Sequence, residues 1–105
     1  MGQFSVHTNL NPASRAVYPF LLDVQSPLLD GLATRVVVPL APMGSRRGAP
    51  LARLMPALRV DGADYVMLTP QLAGVSVKHL GYEVENLERN RLEIVAALDL
   101  LVSGI

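Results

Sequence analysis

The sequence predicts a mainly β domain, a small twisted sheet or barrel, followed by one C-terminal helix. Three observations carry this. Short β-branched or alternating runs, separated by turn residues, fill most of the chain up to Leu80. Asp61-Gly62, flanked by two such runs, is a hairpin signal. From Glu88 the apolar spacing changes to that of a helix, with Ile94, Leu98, Leu101 and Ile105 on one face. Many strands and then one helix is the order expected of this class.

Gln3 to Thr8 alternates, with Phe4, Val6 and Thr8 on one side, and predicts a first strand. Asn9 to Ser14 holds Asn, Pro and Ser and predicts a turn or loop. Tyr18 to Gln25 is strand-like, with Pro19 near its start, where a missing N–H is tolerated. Ser26 to Gly31 reads as a loop or single helical turn carrying Leu28 and Leu29. Arg35 to Leu40 is the clearest β signal, and Pro39 within it predicts a strand end, edge or bulge. Ala41 to Pro56 is rich in proline and glycine and contains Arg46, Arg47 and Arg53. Its first half predicts an exposed, mobile loop with the Arg46-Arg47 pair solvated.

Ala57 to Val60 and Ala63 to Leu68 form the arms of the hairpin. Thr69 to Gly74 is a connection, Val75 to Leu80 a last alternating strand, and Gly81 its end. The helix follows, with Asn86 as N-cap and Arg89 in the first turn. Leu92, Val95, Leu100 and Val102 lie mostly outside the apolar stripe. A helix that is apolar nearly all round must be covered on more than one side. In a single small domain the second side should meet another copy or a different protein.

Composition narrows the function. At 105 residues the chain is one domain, spanning 1–105, that buries roughly two thirds of its unfolded surface. Half of its residues are hydrophobic and 17% are charged, a balance that favours an oligomer. Net charge is zero, so no overall basic field would hold it on nucleic acid without sequence preference. Without cysteine there is no disulfide, thiol catalysis or zinc–thiolate site. No signal peptide is visible and the longest apolar run is too short for a bilayer, so a cytoplasmic protein with no membrane partner is expected.

Catalytic signals are weak. His7 and His79 each fall in a predicted strand, which favours structural roles, and no metal or cofactor motif occurs. No local sequence supplies a base beside a Ser or Thr nucleophile. Asp23 and Asp30 flank the paired leucines; carboxylates near loops usually cap or stay hydrated. The leucines themselves either plug the core or stand exposed as a partner patch. The residues alone argue for a binding module over an enzyme.

Several segments, in order along the whole chain, resemble the CcdB toxin family. They are Gln3-Phe4, Asp23-Val24-Gln25-Ser26, Arg35-x-Val37-x-Pro39-Leu40-Ala41, Pro56, Met67-x-Thr69 and Ala73-x-Val75-x-Val77. Gly81-x-Glu83-Val84-x-x-Leu87 and the final Gly104-Ile105 complete the set. The resemblance implies a small SH3-like barrel of the CcdB/MazF/Kid type with a C-terminal α-helix. It implies a homodimeric toxin of a type II toxin–antitoxin module that poisons DNA gyrase through its A subunit. A CcdA-like antitoxin would neutralise it, and the two together would bind operator DNA and repress their operon.

By the same resemblance, the gyrase-contacting positions are Leu28 and Leu29 with Asp99, Val102, Ser103, Gly104 and Ile105; no catalytic, metal or cofactor site is implied. Three positions depart from the family pattern. Val102-Ser103-Gly104-Ile105 stands where an aromatic-Trp-Gly-Ile terminus is expected, and Asp99 stands for an Asn. The expected reading is a gyrase-directed toxin without enzymatic activity. The alternatives are a drifted homologue that keeps antitoxin binding and operon autoregulation, and an RNA-cleaving toxin on the related fold. The last would need a base such as His79 or an Asp converging with Arg35 or Arg53.

Overall fold

A computed structural model describes residues 2–46 and 52–104, with the side chains of Ser45 and Arg46 left aside. The Arg46-Arg47 pair and Ile105 therefore fall outside the described side chains. Among the described residues, seven strands, β1 (Ser5–Asn9), β2 (Phe20–Asp23), β3 (Thr34–Pro42), β4 (Ala57–Val60), β5 (Ala63–Met67), β6 (Ala73–Ser76) and β7 (Leu80–Asn86), precede one α-helix, α1 (Arg91–Ser103). All described pairings are antiparallel. The order is β4-β5-β3-β2-β1-β7, with β6 also on β3.

The sheet curls into a half-barrel around a core of Phe4, Val6, Leu22, Val38, Leu40, Leu58, Val60 and Met67, which Leu87, Ile94 and Ala97 cover. Side chains draw its two ends together. The backbone N–H of Asp61, at the tip of the β4–β5 hairpin, donates to Glu85 of β7 at 2.6 Å. Arg89, just after β7, reaches the Arg59 carbonyl at 3.4 Å and Glu85 at 2.8 Å. The Asp61-Gly62 turn has φ of 50° and 83°, both positive as a tight hairpin requires.

Several expectations need correction. Pro39 is at neither an end nor an edge of β3. It pairs with Leu21 on one side. On the other side the β6 ladder stops at Val37 and the β5 ladder begins at Leu40, so the missing N–H falls at the seam between them. Ala41 and Pro42 continue β3, and Met43–Arg46 form a 3-10 turn after it, so the predicted loop starts two residues later; residues 47–51 of it lie outside the described residues. The predicted last strand is split: β6 ends at Ser76, Val77–His79 make a 3-10 turn, and His79 is thus not in a strand. Gly81 lies inside β7, beside Thr8 of β1. Asn86 accepts from the Glu88 N–H at 2.8 Å and opens a 3-10 turn over Glu88–Asn90, so α1 begins only at Arg91.

Phe4 has φ of 71°, a left-handed conformation that costs a non-glycine residue about 1–2 kcal/mol. Its fully buried ring and two backbone hydrogen bonds, to the Asp23 carbonyl and from the Leu87 N–H, hold it there. The kink joins β1, β2 and the approach to α1 at one residue.

Candidate partner-binding surface

Ser26-Pro27-Leu28-Leu29-Asp30 folds as it does for local reasons. Pro27 has the φ a helical turn wants and needs no N–H partner. The Ser26 hydroxyl accepts from the Leu28 N–H at 3.2 Å and caps the turn. The result is a single 3-10 turn over Pro27–Leu29. It leaves Leu28 92% and Leu29 49% exposed. Of the two open readings, partner patch or core plug, the exposure excludes the plug.

Beneath this turn lies a buried polar group that composition and motifs did not reveal. Arg35 is 1% exposed. Its Nε donates to Asp23 Oδ2 at 2.9 Å, its Nη2 lies 2.7 Å from the same oxygen, and its Nη1 donates to Asp30 at 2.7 Å. Asp23 is fully buried and its second oxygen accepts from the Gln25 N–H. Gln25, also buried, accepts from the Val36 N–H at 2.9 Å and donates to the Leu29 carbonyl at 2.8 Å.

Burial alone would lower the Arg35 pKa. The hydrogen bonds to Asp30 and Asp23, with the charge of both carboxylates, outweigh it and hold the guanidinium above its ordinary value. Removing one partner of such a buried pair typically costs about 3–5 kcal/mol. Asp23 is thus not hydrated; of the two roles expected of such carboxylates it keeps the local backbone bond, to the Gln25 N–H, and adds the buried Arg35. The signal available in the sequence was an Arg opening the most apolar strand and an Asp closing its neighbour.

The other candidate residues stand at the end of α1. Ile94 and Ala97 are fully buried, while Leu92 is 85% and Val102 83% exposed. Asp99, Ser103 and Gly104 are exposed too. Leu101, expected on the apolar stripe with Ile94 and Leu98, is 38% exposed and outside the core cluster that Ile94 and Leu98 join. Gly104, at φ 74°, donates to the Leu100 carbonyl and closes the helix in the left-handed conformation that glycine favours. The Ser103 hydroxyl donates to the Asp99 carbonyl at 2.8 Å, so it is satisfied within the helix. Among the described residues, no hydrogen bond or ion pair links this helix end to the Leu28-Leu29 turn.

The chemistry available elsewhere is limited. His7 is buried, its Nδ1–H facing the Gly81 carbonyl at 3.0 Å and its Nε2 without a partner. His79 lines a cavity of about 210 Å³ with Asn9, Ser14, Tyr18 and Gln71. Arg35 faces two carboxylates in the interior and is not free to meet a substrate, which removes one arginine from the RNA-cleaving alternative. No cluster of three or more possible metal ligands occurs among the described residues. None of their helices is long and apolar enough to cross a membrane.

With the half-barrel, the terminal helix and the exposed leucine turn in place, comparison with known families is decisive for the class. The family model described as CcdB protein matches residues 3–104, nearly the whole chain. The chain belongs to the CcdB family. At the family level these are toxins of toxin–antitoxin systems that inhibit DNA gyrase.

Proposed function

We propose that this chain is a cytoplasmic, homodimeric toxin that binds and poisons the A subunit of DNA gyrase. Leu28, Leu29, Asp99, Val102, Ser103, Gly104 and Ile105 would make the contact. A CcdA-like antitoxin would neutralise it and join it on operator DNA. The reading involves binding only, with no reaction catalysed. The observation that carries it is the Leu28-Leu29 turn: two apolar side chains held in solvent on a fixed 3-10 turn, in a chain of this family. Such exposed apolar residues are stabilised by covering them, and a partner supplies the cover.

A second reading has its own support. Ser103 occupies the position of the family's terminal Trp and bonds within its own helix. A small hydroxyl side chain cannot fill an aromatic pocket, so this copy is also consistent with a drifted homologue that retains antitoxin binding and autoregulation. Aromatic anchors commonly contribute about 2 kcal/mol or more, on the order of 30-fold in affinity.

The test is binding of the wild type and Ser103→Trp to the gyrase A dimerisation fragment, with killing of gyrase-sensitive cells as a second readout. The Trp variant should bind about 30-fold more tightly and kill more efficiently. Nanomolar binding by the wild type with no gain from Trp would remove the anchor argument. Binding by neither protein would leave the drifted homologue as the function.

A further inference from the structure

We propose that Arg35 and Asp30 are positioning residues for the Leu28-Leu29 turn, so that partner affinity depends on an ion pair between a buried guanidinium and a half-exposed carboxylate. The inference rests on the partner surface proposed above and adds the mechanism that shapes it. Leu28 is almost fully exposed and has no packing of its own to fix it. The turn it rides on is therefore fixed through its flanks. On one flank Gln25 holds the Leu29 carbonyl at 2.8 Å and the Val36 N–H at 2.9 Å, tying the turn to β3. On the other, Asp30 is bound at 2.7 Å by Arg35, whose Nε donates to the fully buried Asp23.

One guanidinium thus connects the far end of the turn to the interior of the sheet. Asp23 extends the connection, since its carbonyl accepts from Phe4 at 2.6 Å. A planar, five-donor group can face two carboxylates at once, which lysine cannot do. Preorganising an apolar contact in its bound geometry raises affinity by reducing the entropy lost on binding.

The substitution to make is Asp30→Asn. The Asp30 side chain is 48% exposed, so the change leaves core packing alone, and Arg35 keeps Asp23. Hydrogen exchange of the full-length protein is measured first. The amides of Leu28 to Leu32 should exchange at least about tenfold faster, with those of β2 and β3 unchanged. Asp64→Asn, which breaks the solvent-facing Arg59–Asp64 pair, is the control and should alter neither exchange in the turn nor binding.

Binding to the gyrase A fragment is measured second, in the wild-type background and in Leu28→Ala/Leu29→Ala. Asp30→Asn should weaken binding several-fold in the first and not at all in the second. Unchanged exchange in the turn overturns the proposal, as does an equal loss of binding in both backgrounds. If the leucine variant binds as tightly as the wild type, the partner surface itself is wrong, and the positioning role is then decided by exchange alone.

Discussion

At the scale of the residue, tertiary contact gives meaning to positions that local pattern misreads. Gly81 follows an alternating run and looks like a strand terminator. It is instead a strand residue pressed against β1, where a Cβ would collide with Thr8 Oγ1 and lie 3.1 Å from the Thr8 carbonyl oxygen. Gly81→Ala should therefore destabilise the protein by about 1–3 kcal/mol in denaturant unfolding. Adding Thr8→Ala, which removes the hydroxyl, should recover part of that loss. An equal loss in both backgrounds would show that the penalty lies elsewhere. Arg35 teaches the same lesson. It read only as the start of a β-branched run, and the folded sheet alone brings Asp23 and Asp30 around it. Leu28 and Leu29 were legible as a candidate pair because two leucines in a proline-bounded turn have few places to go. Which way they faced was not.

At the scale of the element, the hairpin was legible and its anchorage was not. Asp-Gly between two apolar arms specifies its own turn through positive φ at both residues. The bond from the Asp61 N–H to Glu85 crosses from one edge of the sheet to the other, and no local pattern encodes it. That backbone bond, then the Arg89 side chain, hold the Glu85 carboxyl below its ordinary pKa. The sign follows directly. A carboxylate with a depressed folded pKa contributes stability that is complete above its unfolded pKa and is lost as pH falls through the folded value. Unfolding midpoints measured from neutral pH into acid should fall more steeply in the wild type than in Glu85→Gln. Parallel profiles would assign the acid sensitivity to other carboxylates. The helix gives a similar contrast. Its apolar spacing was legible through Ile94 and Leu98, but its start was displaced, because Asn86 bonds the Glu88 N–H and a 3-10 turn over Glu88–Asn90 precedes the helix.

At the scale of the whole molecule, the mainly β architecture with a terminal helix was legible from element order alone, whereas the route of the chain through the sheet was not. β6 and β5 both pair with β3, a sharing that depends on curl and not on any residue pattern. Leu92 remains exposed on α1 apart from the proposed gyrase contacts, and the proposed homodimer would cover part of the helix surface through an isologous contact. Sedimentation at micromolar concentration should show a two-chain species, and a single-chain species would overturn the dimer.

The seam at Pro39 bears on how such a small sheet loosens. β3 lies between its partners with no amide proton at the point where β6 gives way to β5, and only its carbonyl, bonded to Leu68, serves that junction. A ladder interrupted at a donor is divided into blocks that need not open together. Fraying that begins at the β4–β5 hairpin can stop at the proline. The other block, where Arg35 pairs with Val75 and supports the leucine turn, then keeps its protons through the opening.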